Sequence, residues 1–374
     1  MRAAVLHGFG DLRMEDVPNP EPGPGEVVVD VACVQPSVTE CMLIAGEPVA
    51  QHAHLATALG RGPVRFGGHE FCGVVAEVGP GTDGVAPGGR VTVVETVVCG
   101  RCAACRRHRP DACASPGFIG FTRPGAFAER VLVPAANVVA VPEGVSPAAA
   151  AAIQPLAGAI HAHALAAVQP GESVLVIGAG VMGLLAVRVA RHGNAGAILV
   201  TGRSKAKLDL AARFGADLVL GADADVPALV AAATEGIGVD VVIETAGGAP
   251  SVGLAGAGTL DLAARCVRRG GRIVLVSVLP EGALAPLTRL RERSVSLLHP
   301  RSGAGGYSPG GDAFTHALRL VARGDADVES LVTHRLKGVD EIPEAVRITA
   351  DKPAHGAINP AQVYIESGAR AWHC

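Results

Sequence analysis

The chain has 374 residues, enough for two domains and too many for a single core. Its 32 basic and 35 acidic residues leave a formal charge of −3, so composition gives no electrostatic footprint for nucleic acid or an anionic membrane. Nearly half of it (49%) is hydrophobic but only 3% is aromatic, a composition of short strands and tightly packed Ala/Val/Gly helices.

The opening "MRAAVLHGFG" has no apolar run before charge arrives, so no secretory signal and a cytoplasmic location are expected. Residues 48–66, "PVAQHAHLATALGRGPVRF", leave room for a substrate-specific loop. Its His52 and His54 are read as solvated rather than catalytic.

Next comes "VCGRCAACRRHRPDAC", with Cys99, Cys102, Cys105 and Cys113 spaced C-x2-C-x2-C-x7-C. In a reducing compartment such clustered thiols are metal ligands rather than disulfides. Four sulfurs close a tetrahedral zinc shell with no open position, so this zinc is structural. Arg101, Arg106, Arg107 and Arg109 would offset the anionic tetrathiolate.

The uncharged run 144–171 has the length of a membrane span, but it holds Pro155, two histidines and mostly alanine. It is expected to be a buried domain junction. Beyond it, "SVLVIGAGVMG" joins a β-branched strand to Gly178, Gly180, Val181, Met182 and Gly183, followed by an amphipathic helix. Strand, glycine turn and helix in this order form a dinucleotide fingerprint, with backbone amides at the helix start facing a pyrophosphate. Further βα units follow at 197–217, 239–247 and 270–278, implying a doubly wound parallel sheet. Thr245 and Ser277, in the last two, are expected to face the cofactor.

The end of the second strand chooses the nucleotide. NAD sites place a carboxylate there for the ribose, whereas this chain has Gly202, Arg203, Ser204, Lys205 and Lys207. A guanidinium, a hydroxyl and an ammonium suit a 2′-phosphate, so NADPH is expected.

The N-terminal "MRAAVLHGFGDLRMEDVPNPEPGPGEVVVDV", "GGHEFCGVVAEVG", the cysteine lobe, "GAGVMG" and "LVTHRL" together resemble the zinc-containing medium-chain dehydrogenase/reductase family, in its alcohol, sorbitol and threonine dehydrogenase branch. The resemblance spans nearly the whole chain. It implies an α/β architecture: a GroES-like, β-rich catalytic domain over 1–147, with the zinc lobe at about 95–115, and a Rossmann NADP(H) domain over 148–297. Residues 298–374 would return to the catalytic domain. It also implies a small-molecule substrate in the cleft between the domains, and a homodimer or homotetramer.

Active members of that family hold a catalytic zinc through a Cys-Gly-Ser/Thr-Asp-x-His turn, the His of Gly-His-Glu and a later Glu or Cys. Counted back from Gly46, this chain has Ser37 at the cysteine position, Thr39 at the relay hydroxyl and Met42 at the relay histidine. His69 and Glu70 are kept, but Gln154 stands where relatives read Glu-Pro-Leu. Ser37 and Gln154 are neutral, weak zinc ligands, so the catalytic zinc is expected to be absent. Cys41, one helical turn beyond Ser37, offers one rescue; the other reading is that Cys41 and Cys33 are small buried hydrophobes.

Without a Lewis acid, alcohol oxidation is hard, whereas hydride addition to a conjugated acceptor spreads charge that hydrogen-bond donors can support. Ser37, Thr39 and His69, with Gln154 nearby, are the candidate donors, and Glu70 would fix the His69 tautomer. Arg301 and Tyr307, in 297–311, are candidate substrate contacts. The resemblance extends in general organisation to the reductive cyclases of polycyclic tetramate macrolactam pathways, which implies antibiotic biosynthesis by analogy. The competing readings are a zinc-dependent secondary alcohol dehydrogenase and an inactive NADPH-binding protein.

Overall fold

A computed structural model describes residues 1–109, 112–248, 254–279, 282–300 and 313–372. The chain forms two compact units, Met1–Gln154 with Phe314–Cys374, and Pro155–Ala313.

The first unit is built on the strand Glu26–Gln35, whose Val27, Val28, Val29, Val31, Ala32, Cys33 and Val34 are all fully buried. An unbroken apolar run of this kind fits a central strand covered on both faces. Its sheet runs Arg335–Lys337, Gln362–Tyr364, Glu26–Gln35, Glu70–Val78, Arg90–Val93 and Val138–Ala140, with Arg130–Pro134 also paired to the central strand. Antiparallel register sets Gln35 opposite Glu70, so the end of one strand faces the start of the next. The chain then turns at Ser37 into the short helix Val38–Ile44. Residues 48–66, expected as loop, contain the helix His52–Leu59, anchored by buried Leu55.

The second unit holds a six-stranded, wholly parallel sheet in the order Leu218–Gly221, Ala197–Gly202, Ser173–Ile177, Val239–Glu244, Val267–Leu275, Ser296–Leu298. This is the 3-2-1-4-5-6 order of a dinucleotide-binding fold, with its switch point beside Ser173–Ile177. Leu175, Ile177, Leu199, Val242 and Ile273 fill its core together with Leu260 and Val267.

The unit borders fall later than the expected 147/148 and 297/298. Helix Pro147–Ala151 packs on strands Glu26–Gln35 and Glu70–Val78, which keeps it in the first unit. The alanine-rich 144–171 run splits into that helix and Ile153–Ala166, and no described helix is long and apolar enough to cross a membrane.

Candidate functional site

In the cysteine lobe, Cys102 caps the turn Ala103–Arg106 and its sulfur accepts from the Cys105 amide at 3.5 Å. The Sγ atoms of Cys99, Cys102, Cys105 and Cys113 all lie within 4.8 Å of one another, with Cys102–Cys105 at 3.5 Å and Cys99–Cys105 at 4.0 Å. Tetrahedral zinc with Zn–S bonds of about 2.3 Å needs sulfurs about 3.8 Å apart, so the donor set fits. Amide hydrogen bonds from Ala114 and Cys105 pull the Cys102 thiol down to about 6, and the Cys99 amide lowers Cys113. Burial and the neighbouring thiols push Cys105 up. The lobe is closed at its base by Thr96–Val97 paired with Gly117–Phe118, and by the Ile119 amide on the Glu95 carbonyl at 2.9 Å.

At the dinucleotide end the three glycines have different duties. Gly178 has φ +105°, a conformation that favours glycine, and the Thr245 hydroxyl donates to the carbonyls of Ile177 (2.9 Å) and Gly178 (3.2 Å). A Cβ on Gly183 would lie 1.7 Å from the Gly178 carbonyl oxygen, so that glycine lets helix and turn touch. A Cβ on Gly180 would meet nothing within 4 Å: its smallness answers to no packing within the protein. Gly180 also caps the helix Val181–His192 without a side-chain bond, leaving first-turn amides at Val181 and Met182 for an anion. The pyrophosphate of a dinucleotide fits this cradle.

Ser277 donates to Glu244, whose other oxygen accepts from the Ala246 and Gly247 amides at 2.7 Å. Both expected hydroxyls, Thr245 and Ser277, therefore spend their protons shaping the rim. Beside the cradle, the Cβ position of Gly202 is 3.0 Å from Ala179 Cβ, which brings the end of Ala197–Gly202 against the glycine turn. Ser204 sits at the N-cap of Lys205–Arg213 but makes no cap hydrogen bond. Burial lowers Lys207, and the positive charge of Arg203 lowers it further. Arg203 and Lys207 thus form a cationic pair that a 2′-phosphate would neutralise.

The third cluster surrounds His69. Ser37 and Glu40 form a capping box: Ser37 Oγ accepts from the Glu40 amide at 3.1 Å, and Glu40 Oε2 accepts from the Ser37 amide at 2.8 Å. Glu40 Oε1 accepts from the Gly68 amide (2.7 Å), the His69 amide (3.2 Å) and His69 Nδ1 (2.8 Å). Burial raises Glu40, but the His69 charge and these hydrogen bonds overcome it, and its carboxyl lies below the usual range. For His69 burial pushes down while Glu40, then Glu70 and Glu95, push up, and the imidazole reaches about 9.

Glu40, and not Glu70, therefore holds the His69 ring in place through Nδ1. Glu70 Oε1 is 3.7 Å from Nε2, while Oε2 accepts from Gln35 Nε2 at 2.5 Å. Gln362 extends this chain by donating to Gln35 Oε1 at 2.8 Å and to the Ala148 carbonyl at 2.9 Å. Burial raises Glu70 to about 7. Glu95 also stands here, 4% exposed, with Oε1 accepting from Gln154 Nε2 at 2.9 Å and Oε2 buried without a partner.

The structure brings Ser37 and His69 together through Glu40, and joins Gln154 to Glu95. Thr39 is half-buried in the first turn of the Ser37 helix, and Met42 is buried farther along it. Cys41 is no rescue for a second metal: its buried Sγ faces the Val346 carbonyl at 3.6 Å. Among the described residues only the four lobe cysteines converge as a metal set. The residues at the family's catalytic-zinc position do not fit that ion, because Ser37 and Gln154 are neutral and engaged as cap and amide donor. His52 stacks on Phe9 at 5.0 Å and His54 is exposed; Arg301 and Tyr307 lie outside the described residues.

Sequence reasoning passed over Glu40, Glu95, Gln35 and Gln362. Glu40 carried two signals, the Ser-x-x-Glu spacing of a capping box and the acidic position of the Cys-Gly-Ser/Thr-Asp-x-His turn. Glu95 carried one, a lone carboxylate in the β-branched run "VTVVETVV".

Comparison with known proteins agrees with this architecture. The Alcohol dehydrogenase GroES-like domain family matches residues 23–143, and the Zinc-binding dehydrogenase family matches 180–323. L-threonine 3-dehydrogenase from Pyrococcus horikoshii is 31% identical over 342 residues, covering 91% of this chain and 92% of its own. The enzyme of that name from Sinorhizobium medicae is 33% identical over 337 residues, covering 88% and 90%. Among solved structures, a putative zinc-binding dehydrogenase from Sinorhizobium meliloti bound to NADP is 30% identical with TM-score 0.81, covering 97% of this chain and 98% of that one. Alcohol dehydrogenase TADH from Thermus sp. ATN1 is 29% identical with TM-score 0.82, covering 98% and 100%. With a GroES-like unit, a parallel dinucleotide-binding sheet and a four-cysteine lobe on one chain, this NAD(P)-dependent dehydrogenase belongs to the zinc-containing medium-chain dehydrogenase/reductase family.

Proposed function

We propose that this protein is an NADPH-dependent reductase of a conjugated carbonyl substrate, with one structural zinc in the cysteine lobe and no catalytic zinc. The observation that carries the reading is the donor set around His69. Two positions where the resemblance implies ionisable zinc ligands hold a helix-capping hydroxyl, Ser37, and an amide bonded to Glu95, Gln154. The reduced nicotinamide, when bound, supplies a hydride.

Reduction of an isolated ketone concentrates negative charge on one oxygen. Addition to an enone or polyenone delocalises that charge, and a few oriented donors suffice. His69 is suited to this, with Glu40 holding Nδ1 and Nε2, 3.7 Å from Glu70, on the opposite edge of a ring kept protonated near neutral pH. With Met42 in place of a relay histidine, solvent protons reach the site slowly. The enol or enolate so formed, kept from solvent, is a carbon nucleophile able to close a ring on a second electrophile of the substrate, as antibiotic biosynthesis by reductive cyclisation requires. Arg203, Ser204 and Lys207 support the preference for NADPH, and NADP in the Sinorhizobium meliloti structure agrees with it.

A second reading, a zinc-dependent secondary alcohol dehydrogenase, is favoured by the names of the threonine and alcohol dehydrogenase relatives. Deuterated NADPH separates the two. With 2-cyclohexen-1-one, deuterium should enter the β-carbon, and Arg203→Ala should weaken NADPH about 10- to 100-fold while leaving NADH unchanged. Deuterium on a carbinol carbon, with two zinc ions per chain and loss of activity to chelators, would replace this reading with the second.

A further inference from the structure

We propose that Glu95 is the acid of this site, giving the proton on Oε2 to the oxygen of the bound acceptor. The inference deepens the reading above and rests on it only in requiring a carbonyl oxygen.

The geometry at Glu95 is that of a carboxylic acid with one oxygen in reserve. Oε1 is an acceptor, fixed by Gln154 Nε2 at 2.9 Å. Oε2 is closed to solvent and has no hydrogen-bond partner among the described residues. A buried polar atom left unpaired is destabilising, and a ligand oxygen would remove that cost. No lysine or arginine among the described residues forms an ion pair with this carboxyl. Burial raises it, and the only charge opposing that rise is His69, already engaged by Glu40.

Residue 154 and Glu95 are chemically coupled. A glutamate at 154, the residue expected from the resemblance, would set two carboxyls against each other. Gln154 instead offers an N–H, which leaves Glu95 Oε2 the position that carries a proton.

The step balances without metal. Hydride would leave the reduced nicotinamide, which becomes the oxidised ring, and form a C–H bond at the β-carbon. The C=C π pair becomes the new bond between the α-carbon and the carbonyl carbon, and the carbonyl π pair moves onto oxygen. That oxygen takes the proton from Oε2, giving a neutral enol and leaving Glu95 as carboxylate. Gln154 and the His69 charge then stabilise the carboxylate, and solvent restores its proton as product leaves. A ketone would use the same proton to become an alcohol.

Wild type, Glu95→Gln and Glu95→Asp should be compared with NADPH on 2-cyclohexen-1-one and on 2-butanone. General acid catalysis is worth about 10²–10⁴-fold, so Glu95→Gln should lower kcat by at least about 100-fold with KM changed less than about threefold. It should also abolish the solvent deuterium isotope effect, which Glu95→Asp should keep. Infrared spectra of the NADPH-bound wild type should show a protonated carboxyl band that shifts in Glu95→Asp and is absent in Glu95→Gln. An unchanged isotope effect in Glu95→Gln, or an ionised Glu95 by infrared, overturns the proposal. Turnover of 2-butanone alone, with the same loss in Glu95→Gln, would refute the conjugate reading and support Glu95. If neither probe turns over or Glu95→Gln fails to fold, the infrared band of wild type and Glu95→Asp decides.

Discussion

Replacing Glu40 with glutamine tests how the His69 cluster is held together. The carboxylate takes four donors: the amides of Ser37, Gly68 and His69, and His69 Nδ1. A glutamine has one acceptor oxygen. If that oxygen takes the three donors at Oε1, its amide group confronts the Ser37 N–H, and the flipped form is worse. Charge adds to the loss. The rise of His69 from 6.5 to about 9 corresponds to about 3.4 kcal/mol at 1.36 kcal/mol per pH unit, an upper bound because Glu70 and Glu95 share in it. With an unpaired buried donor at about 1–3 kcal/mol, Glu40→Gln should cost about 3–5 kcal/mol, in line with opening a buried ion pair. Over a unit of this size the melting temperature should fall by roughly 6–20 °C. The pH dependence gives the sharper check. A raised histidine stabilises the fold fully below 6.5, and that contribution is lost as pH rises through about 9. Circular-dichroism melts should therefore show a larger difference between wild type and variant at pH 7 than at pH 10. An equal difference at both would mean that His69 carries no charge for Glu40 to hold.

The glycine turn gives a second expectation. Gly180→Ala should leave thermal stability nearly unchanged but weaken NADPH at least about tenfold by fluorescence titration, because its Cβ meets only the space expected for pyrophosphate. Gly183→Ala should instead lower the melting temperature, since its Cβ would overlap the Gly178 carbonyl. In the lobe, elemental analysis should give close to one zinc per chain, and Cys102→Ser should lose it together with soluble protein. Structural zinc contributes on the order of 10 kcal/mol in small zinc peptides, so the damage should appear as instability rather than slow turnover.

The features legible in the sequence were those set by short-range spacing. Four cysteines within one loop, and glycines between a β-branched run and an amphipathic helix, each state their geometry locally. The 154/155 border was harder to see, because an alanine helix reads alike on either side of a junction and only its packing on Glu26–Gln35 decides. The His69 cluster was only partly visible in the sequence. Position counting found Ser37, His69 and Gln154, yet the carboxylates that control them, Glu40 and Glu95, arrive through strand register and a capping turn. Glu70 was given the Glu40 role because adjacency in sequence stood in for contact. Glu70 begins its strand and comes only within 3.7 Å of Nε2, accepting at its other oxygen from Gln35, its cross-strand partner, while Glu40 takes Nδ1.

The lobe is fastened at its mouth as well as at its tip. Its outgoing arm leaves from Glu95, its returning arm bonds back to the Glu95 carbonyl through Ile119, and Phe121 just beyond lays its ring 4.8 Å from His69. The lobe thus resembles a clothes-peg: with a metal bound the four sulfurs would be the spring, and the jaws lie beside Glu95 and the His69 ring. A structural ion in the lobe would then govern how Glu95 and His69 are aligned.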